Sequence, residues 1–493
     1  MLPARGALTA TYIMQTLLET QRKTDVNITG LTLDLRKCFN LLNRSKVQLL
    51  LHALGIPMRL VQKWANSIRG MTRFWDVAQQ TSSPTTTTTG CPEGDSWSVL
   101  AMLAVAANWG HVLEAASPYA SSTAYADNWT WWLPDQHLDP CTIRTTDDFV
   151  SWLGLEISWD KTWCWTTGST GAARMSQLVH QTLNVEAPRV QATATDLGCQ
   201  MTYHGNAKLG IIHDRLEQAK KRLEVVKLSN WALPVKTHVV QASVLPLALY
   251  GMELLAVGQR NLTNLRTLIA DALVGETLHS MSSSIFLHCV DSRDIDPCIR
   301  VITQAAKQAR RFLRQADAET KQAFLDILSQ PSTKVGLSQG PASAFREYLQ
   351  RLGLKCSNSG LIQMTALKTC NLVEDNLSDI CYFLRQAWSA QLFMFQTQRT
   401  QLYNLPPLNQ SEMVRLLRKY RPKQRLLCLR ELASGYQTQM QQCKWNESTG
   451  ICTFCGAAED TKMHRFFHCM SFQDVRAPWG EFLEQLEEEN PLL

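Results

Sequence analysis

The sequence predicts an α+β protein: an antiparallel sheet with helices at the front, a long helical region behind it, and a small zinc-knuckle-like segment near the end. Three observations lead there. Residues 28–35 carry Ile28, Leu31, Leu33 and Leu35 in an interrupted strand-like alternation, and SSTAYADNWTWWL at 121–133 places two β-prone runs around Ala126-Asp127-Asn128, the pattern of a hairpin. From residue 208 to about 435 helical periods dominate. At the far end, CTFCGAAEDTKMHRFFHC gathers Cys452, Cys455, His464, His468 and Cys469.

Bulk properties set the limits. A chain of 493 residues, 45% of them hydrophobic, has room for about two to four domains with sizeable cores. A net charge of +6 and a pI of about 8.6 suit a polyanionic partner without demanding one. Fifteen cysteines are an odd number scattered through a long chain, and no basic-then-apolar leader precedes them. A secreted disulfide scaffold is therefore not expected, and the chain reads as intracellular. The longest strongly apolar run, residues 99–109, is too short to cross a bilayer and reads as a buried helix, so no membrane span is expected. Fifteen tryptophans, several between Trp129 and Trp165, are expected in the core or on strand faces.

Element by element, a first helix follows the LPARG loop with an apolar stripe at Tyr12, Leu17 and Leu18, and precedes the strand ending in LTLD. A helix through Ser45 to Leu54 is ended by Gly55 and Pro57, and a second covers Met58 to Gly70. Residues 72–77 are strand-like, and the threonine run after them is open between a β segment and a loop. A turn at Gly90 to Gly94 leads into an apolar helix from Trp97 to about Leu113. WLGLEISWDKTWCW reads as two short strands around Asp160 and Lys161, and a further strand spans Cys199 to Tyr203. A basic helix through Lys227 and an apolar one from Val235 to Leu254 come next, and residues 260–435 read as helical throughout, with breaks near Pro331 to Gly340 and at Pro406-Pro407.

Transfer of a phosphoryl group to a sugar hydroxyl needs divalent ions held by carboxylates that converge from separate segments. Asp34 closes one strand and Asp127 tips the hairpin, 93 positions later, so adjacent strands of one sheet would bring both to the same edge. Either alone reads as an ordinary loop carboxylate. In order along the chain stand LDLRKCF at 33–39, GCPEGDSWSVL at 90–100, YADN at 125–128 and LGLEISWDKT at 153–162. This ordered set resembles the palm motifs of reverse transcriptases encoded by non-LTR retrotransposons, and LPVKTHVVQASVLPLALYG at 233–251 resembles their thumb.

The resemblance implies a right-hand polymerase palm with a fingers remnant over residues 1–205, thumb-like helices over 206–258, a helical C-terminal region over 259–440, and a zinc-binding segment with an acidic tail over 441–493. It implies an RNA-directed DNA polymerase extending a primer 3′-hydroxyl with deoxynucleoside triphosphates on an RNA template, in the nucleus or cytoplasm by family analogy; the alternative is a truncated, inactive remnant that keeps at most nucleic-acid binding. Asp34 and Asp127 would hold Mg²⁺ or Mn²⁺, with the Leu35 carbonyl completing one shell. Phe39 would lie under the incoming sugar and disfavour a 2′-hydroxyl, or else face the core as an ordinary helix residue. Gly90 and Gly94 would let backbone approach nucleotide and template. Lys161 would protonate departing pyrophosphate, or stand as an exposed lysine before a strand.

Departures from the family pattern are as informative. Asn128 replaces the hairpin's second aspartate and removes a charge, so Asn128→Asp is expected to improve activity. Glu93 stands where the family has glutamine, and Ser96 where many relatives have proline. LPARG resembles the fragment just before the helix that precedes the first palm strand, which implies that most of the fingers is absent. The helix from Lys208 to Lys227 sets Arg215, Lys220, Lys221, Arg222 and Lys227 beside Leu209, Ile212, Leu216 and Leu223, either a solvated face or a thumb helix tracking phosphates. Arg415 to Arg430 offers a second basic stretch with the same two readings. Near the end, the C-x2-C pair with His464 and Cys469 supplies four donors for a closed tetrahedral Zn²⁺ site, with His468 as the lesser variant for His464.

Overall fold

The computed structural model describes residues 6–24, 26–74, 76–77, 80–92, 94–204, 210–275, 282–290, 294–331, 340–365, 368–400, 429, 450–461, 464 and 468–477. Glu93, Lys208, Leu209, the second basic stretch apart from Leu429, the break at Pro406-Pro407 and the acidic tail lie outside them. The chain divides into two units, one of Met1–Leu209 with Asp317–Ile327 and Leu337–Ala342, the other of the remaining residues. The architecture is mixed α+β, with several sheets among the helices.

In the first unit, β1 (Ile28–Asp34) is the middle strand of a five-stranded sheet, and its β-branched and leucine side chains are buried on both faces as far as Leu33. Such burial explains why its sequence alternates imperfectly. β1 runs antiparallel to β7 (Asn128–Pro134), with Asp34 opposite Asn128, and antiparallel to β8 (Trp163–Thr166) on its other side. β6 (Ser121–Tyr125) closes the hairpin onto β7, and β9 (Arg189–Val190) lies parallel to β8, so the sheet is mixed at that edge and not wholly antiparallel as expected.

One sheet face sends Leu31, Leu33 and Trp131 into a core shared with α3 (Arg44–Ala53), α4 (Met58–Arg69), α5 (Ser96–Ala116), α6 (Pro140–Leu153) and α7 (Gly171–Leu183). Trp109 of α5 stacks on Trp129 of β7 with ring centroids 4.6 Å apart. The opposite face sets Ile28 and Trp165 against Met14 and Leu18 of α1 (Ala7–Gln21) and against the hairpin of β10 (Thr193–Asp196) and β11 (Cys199–Thr202). Gly30 makes room there: a Cβ on it would lie 2.3 Å from the Trp165 ring. Burying each large apolar side chain stabilises by about 1.5–3 kcal/mol, so these two faces hold the sheet's ends in place.

Several local expectations change. Asp160 and Lys161 lie on a 3-10 turn, Trp159–Lys161, before β8, and only the single bridge Leu35–Ile157 stands where a first strand was expected. Preceding it is α6, capped by Asp139, whose carboxylate accepts from the Cys141 and Thr142 amides, and opened by Pro140. The helix α5 runs well beyond the apolar run and is long and apolar enough to cross a membrane by length and composition; here Ala101, Met102, Val105, Trp109 and Leu113 are buried in the sheet's core. The threonine-rich region forms two small two-stranded sheets, β2 (Thr72–Arg73) with β5 (Thr85–Thr86) and β3 (Asp76–Val77) with β4 (Gln80–Thr81).

In the second unit, α8 (Gly210–Leu228) buries Ile212, Ala219, Leu223 and Val226. The expected apolar helix from Val235 to Leu254 is instead α9 (Leu233–Val239), a π turn at Val240–Val244 and α10 (Leu245–Leu249), a widening that accommodates Pro246, which has no amide to donate. Next come α11 (Gln259–Val274), α12 (Ser283–Cys289) and α13 (Pro297–Leu313); α14 (Ala318–Ser329) falls, as far as Ile327, in the stretch that belongs to the first unit, and α15 (Pro341–Arg351), all but its first two residues, and α16 (Leu377–Thr400) return to the second. The region is not helical throughout: β12 (Lys355–Cys356), β13 (Leu361–Thr365) and β14 (Lys368–Asn371) make an antiparallel sheet. Strands this short take their stability from pairing, which a reading for helical periods does not register.

Candidate metal centres

Asp34 ends β1 with its backbone held on both sides. Its carbonyl accepts from the Ser158 amide at 2.8 Å, and the next amide, of Leu35, donates to the Asp127 carbonyl at 2.9 Å. Asp127 occupies the two-residue turn between β6 and β7, where Ala126 takes the left-handed φ of 53° and its carbonyl accepts from the Trp129 indole at 3.0 Å. The Lys161 ammonium lies 3.6 Å from Asp34 Oδ1. Burial raises the Asp34 carboxyl above its ordinary value; Lys161 opposes that rise, and the charges of Asp127 and Asp160 add to it. Asp34, Asp127, Asp160 and Lys161 therefore form one electrostatic group at one end of the sheet.

Beyond β1 the backbone that follows Cys38 is packed closely. Phe39, on the short helix α2 (Cys38–Leu41), is half-buried against the helical core, and its carbonyl accepts from the Cys91 amide at 2.7 Å. Gly90, at φ 79°, donates to the Leu42 carbonyl at 2.9 Å, and a Cβ there would meet the Asn40 carbonyl oxygen at 2.5 Å. Phe39 and Gly90 are thus brought together. Gly94 stands apart in open space, before Asp95, which caps α5 at Ser96. Leu35, whose carbonyl was assigned to a metal shell, is buried and bridges to Ile157.

Sequence reasoning missed three residues here. Asp196, at the end of β10, accepts a hydrogen bond from the Asn128 amide at 2.9 Å, and burial pushes its carboxyl up to about 6. Its signal was a second alternating run, TATD, before the Leu197-Gly198 turn. Arg44 donates to the carbonyls of Gly90 and Thr87, each at 2.7 Å, and so ties the turn before α5 to α3. Cys38 lies under the acidic group, where burial chiefly, and then the Asp127 charge, push its thiol up to about 12.

A second cluster lies in the other unit. Ligand atoms of Cys452, Cys455, His464 and Cys469 all lie within 4.8 Å of one another. The Cys452 and Cys469 sulfurs are 3.9 Å apart, and Cys455 Sγ is 3.1 Å from His464 Nε2. Zn–S bonds of about 2.3 Å in a tetrahedron put sulfurs about 3.8 Å apart, so the donor set fits zinc. A tight hairpin builds the knuckle: the Cys452 amide donates to Ala458 O at 2.9 Å and the Gly456 amide to Cys452 O at 2.8 Å. The Ala457 amide draws the Cys455 thiol down to about 6, with His464 adding to the effect, while burial raises Cys452. His468 is exposed and outside the cluster, so His464 is the histidine of this set.

Along α8 the basic side chains divide. Arg215 donates to the Tyr250 carbonyl at 2.6 Å and Arg222 to that of Ser243 at 3.0 Å, which uses both for packing, while Lys220 and Lys221 are exposed. The class defined by these observations is a mixed α+β chain with one acidic group at a sheet end and one Cys3His cluster able to coordinate a metal such as zinc. Compared with known protein families and with curated proteins, the chain matches none.

Proposed function

We propose that the first unit is the palm of an RNA-directed DNA polymerase of the non-LTR retrotransposon type, which adds deoxynucleotides to a primer 3′-hydroxyl on an RNA template. The observation that carries this reading is the meeting of Asp34 and Asp127, distant in sequence, at one end of neighbouring strands, with Lys161 3.6 Å from Asp34. Asp34 and Asp127 would hold Mg²⁺ or Mn²⁺, since carboxylate oxygens suit a hard cation that also binds phosphates. When bound, the metal supplies Lewis-acid charge for the displacement at phosphorus.

The chain's own groups do the rest. Lys161 offers an ammonium for charge that would develop on the departing pyrophosphate, and Phe39 and Gly90 pack together next to Cys38, whose thiol feels the charges of Asp127 and Asp34. In the second unit, Lys220 and Lys221 present charge suited to a phosphate backbone. A second reading, a remnant that binds nucleic acid without polymerising, is favoured by one observation: Asn128 carries no charge, and its amide is engaged by Asp196.

Primer extension on an RNA template with magnesium or manganese separates the two. The polymerase reading expects extension by the native chain and loss of at least about 10²-fold in Asp127→Ala. No extension by the native chain or by variants that restore the hairpin's second carboxylate would leave only the remnant reading.

A further inference from the structure

Within the second unit, a cavity of about 530 Å³ opens among α11, α12, α13, α15 and α16, a size common for small-molecule sites. Leu262, Ile302 and Trp388 give it an apolar wall, and Arg266 and Arg351 also line it. Arg266 is only 7% exposed, and one of its three guanidinium nitrogens is unpaired among the described residues. Its Nε donates to Asp296 Oδ1 at 3.1 Å, and its plane lies 5.0 Å from the Trp388 ring centroid, yet Nη2 has no hydrogen-bond partner among the described residues. Arg351 repeats the pattern: Nη2 donates to Glu347, and the buried Nη1 has no partner among the described residues.

Leaving a buried donor unpaired is costly, and here two charged donors border the same space. Ser282 and Ser284 add to them. Their hydroxyl oxygens are 3.2 Å apart, so one hydrogen is used between them and the other remains to donate. Charge narrows the choice of guest. Arg266 already shares its charge with Asp296 and Arg351 with Glu347, so what the cavity offers is unpaired charge-assisted donors rather than a large positive surplus. Asp296 also accepts from the Cys298 amide at 2.9 Å, in the first turn of α13, which shares out its negative charge. Such a site takes an acceptor group of at most one negative charge and disfavours a phosphate dianion. The apolar wall then calls for a hydrocarbon or aromatic body behind the anionic group.

We infer that this cavity binds a small organic carboxylate with an apolar or aromatic body, its oxygens taking the unpaired Nη2 of Arg266 and Nη1 of Arg351. Benzoate, its neutral counterpart benzamide and inorganic phosphate, each titrated into the full chain by calorimetry, test this. Benzoate is expected to bind saturably, about 10-fold or more tighter than benzamide, because the arginine hydrogen bonds are charge-assisted, and tighter than phosphate. Thr263→Phe, which fills the cavity from α11 without altering either arginine, is expected to abolish binding, and Arg351→Met to erase the preference for benzoate over benzamide. Absence of saturable benzoate binding, equal affinity for benzamide, tighter binding of phosphate, or binding unaffected by Thr263→Phe would each overturn the assignment.

Discussion

Asn128 on β7 is paired directly opposite Asp34 on β1 and gives an amide proton to Asp196 at 2.9 Å. Exchanging it for aspartate looked from the sequence like a simple gain of negative charge. The tertiary contact alters that expectation, because the new carboxylate would face Asp196 where burial already disfavours ionisation. Asn128→Asp alone is therefore expected to leave manganese affinity and primer extension unimproved. Combined with Asp196→Asn it moves the charge to the hairpin and keeps the hydrogen bond with donor and acceptor exchanged; that pair is expected to bind manganese about 10-fold more tightly, read by calorimetric titration. Equal affinity in the single and double variants would refute the coupling.

Asp196 also gives stability a pH dependence. Its folded carboxyl, at about 6, lies above the ordinary 3.8, so the folded chain holds an extra proton between those values. The folded state is accordingly favoured below about pH 4, loses that advantage as pH rises through 6, and regains none of it above. Asp196→Asn is expected to remove this slope and stabilise the first unit at pH 7 by about 1–3 kcal/mol relative to the native chain, read as urea midpoints at pH 4 and pH 7. A variant with an unchanged pH profile would show that Asp196 is not buried as described.

Among the elements, the turn that leads into α5 depends closely on a single residue. Gly90 adopts φ 79° and presses against the backbone of Asn40 and Phe39. Gly90→Ala would combine a left-handed backbone with a Cβ 2.5 Å from a carbonyl oxygen. It is expected to destabilise the first unit by about 1–3 kcal/mol and to lower primer extension by displacing Phe39, both measurable on the same preparation. Strands β1 and β7 could be read from the sequence because LTLD and NWTWWL are β-prone and end in turn residues. The helix α6 carries readable signals too, with Asp139 as cap and Pro140 at its first position, but the tryptophan-rich segment after it has the higher strand propensity. Nothing local announced β12 to β14, whose few residues gain their geometry from one another.

For the whole molecule, the Cys3His cluster is the feature most open to direct assay. One zinc per chain is expected by elemental mass spectrometry, falling below about a tenth when Cys452 is changed to Ser, because three donors leave the tetrahedron open and exchangeable. Asp127→Ala should leave the zinc content untouched, which separates the two candidate centres. Zinc absent from the native chain, or retained in full by Cys452→Ser, would rule out the cluster as its site. The ligands were legible because all four fall within residues 452–469, so their convergence needs only short-range chain reversal.

By itself the sequence determined what is local: the mixed α+β class, the carboxylates at strand end and hairpin tip, and the close-spaced cysteines with His464. Periods, turn residues and short spacings act over a few positions and can be read without knowing the fold. Only the tertiary structure decided which distant groups face one another. Asp196 meets Asn128 across 68 positions, Lys161 reaches Asp34, and Arg266 and Arg351 border one cavity. Each of those depends on how sheet faces and helices pack, and burial and charge coupling arise from that packing, not from any one segment.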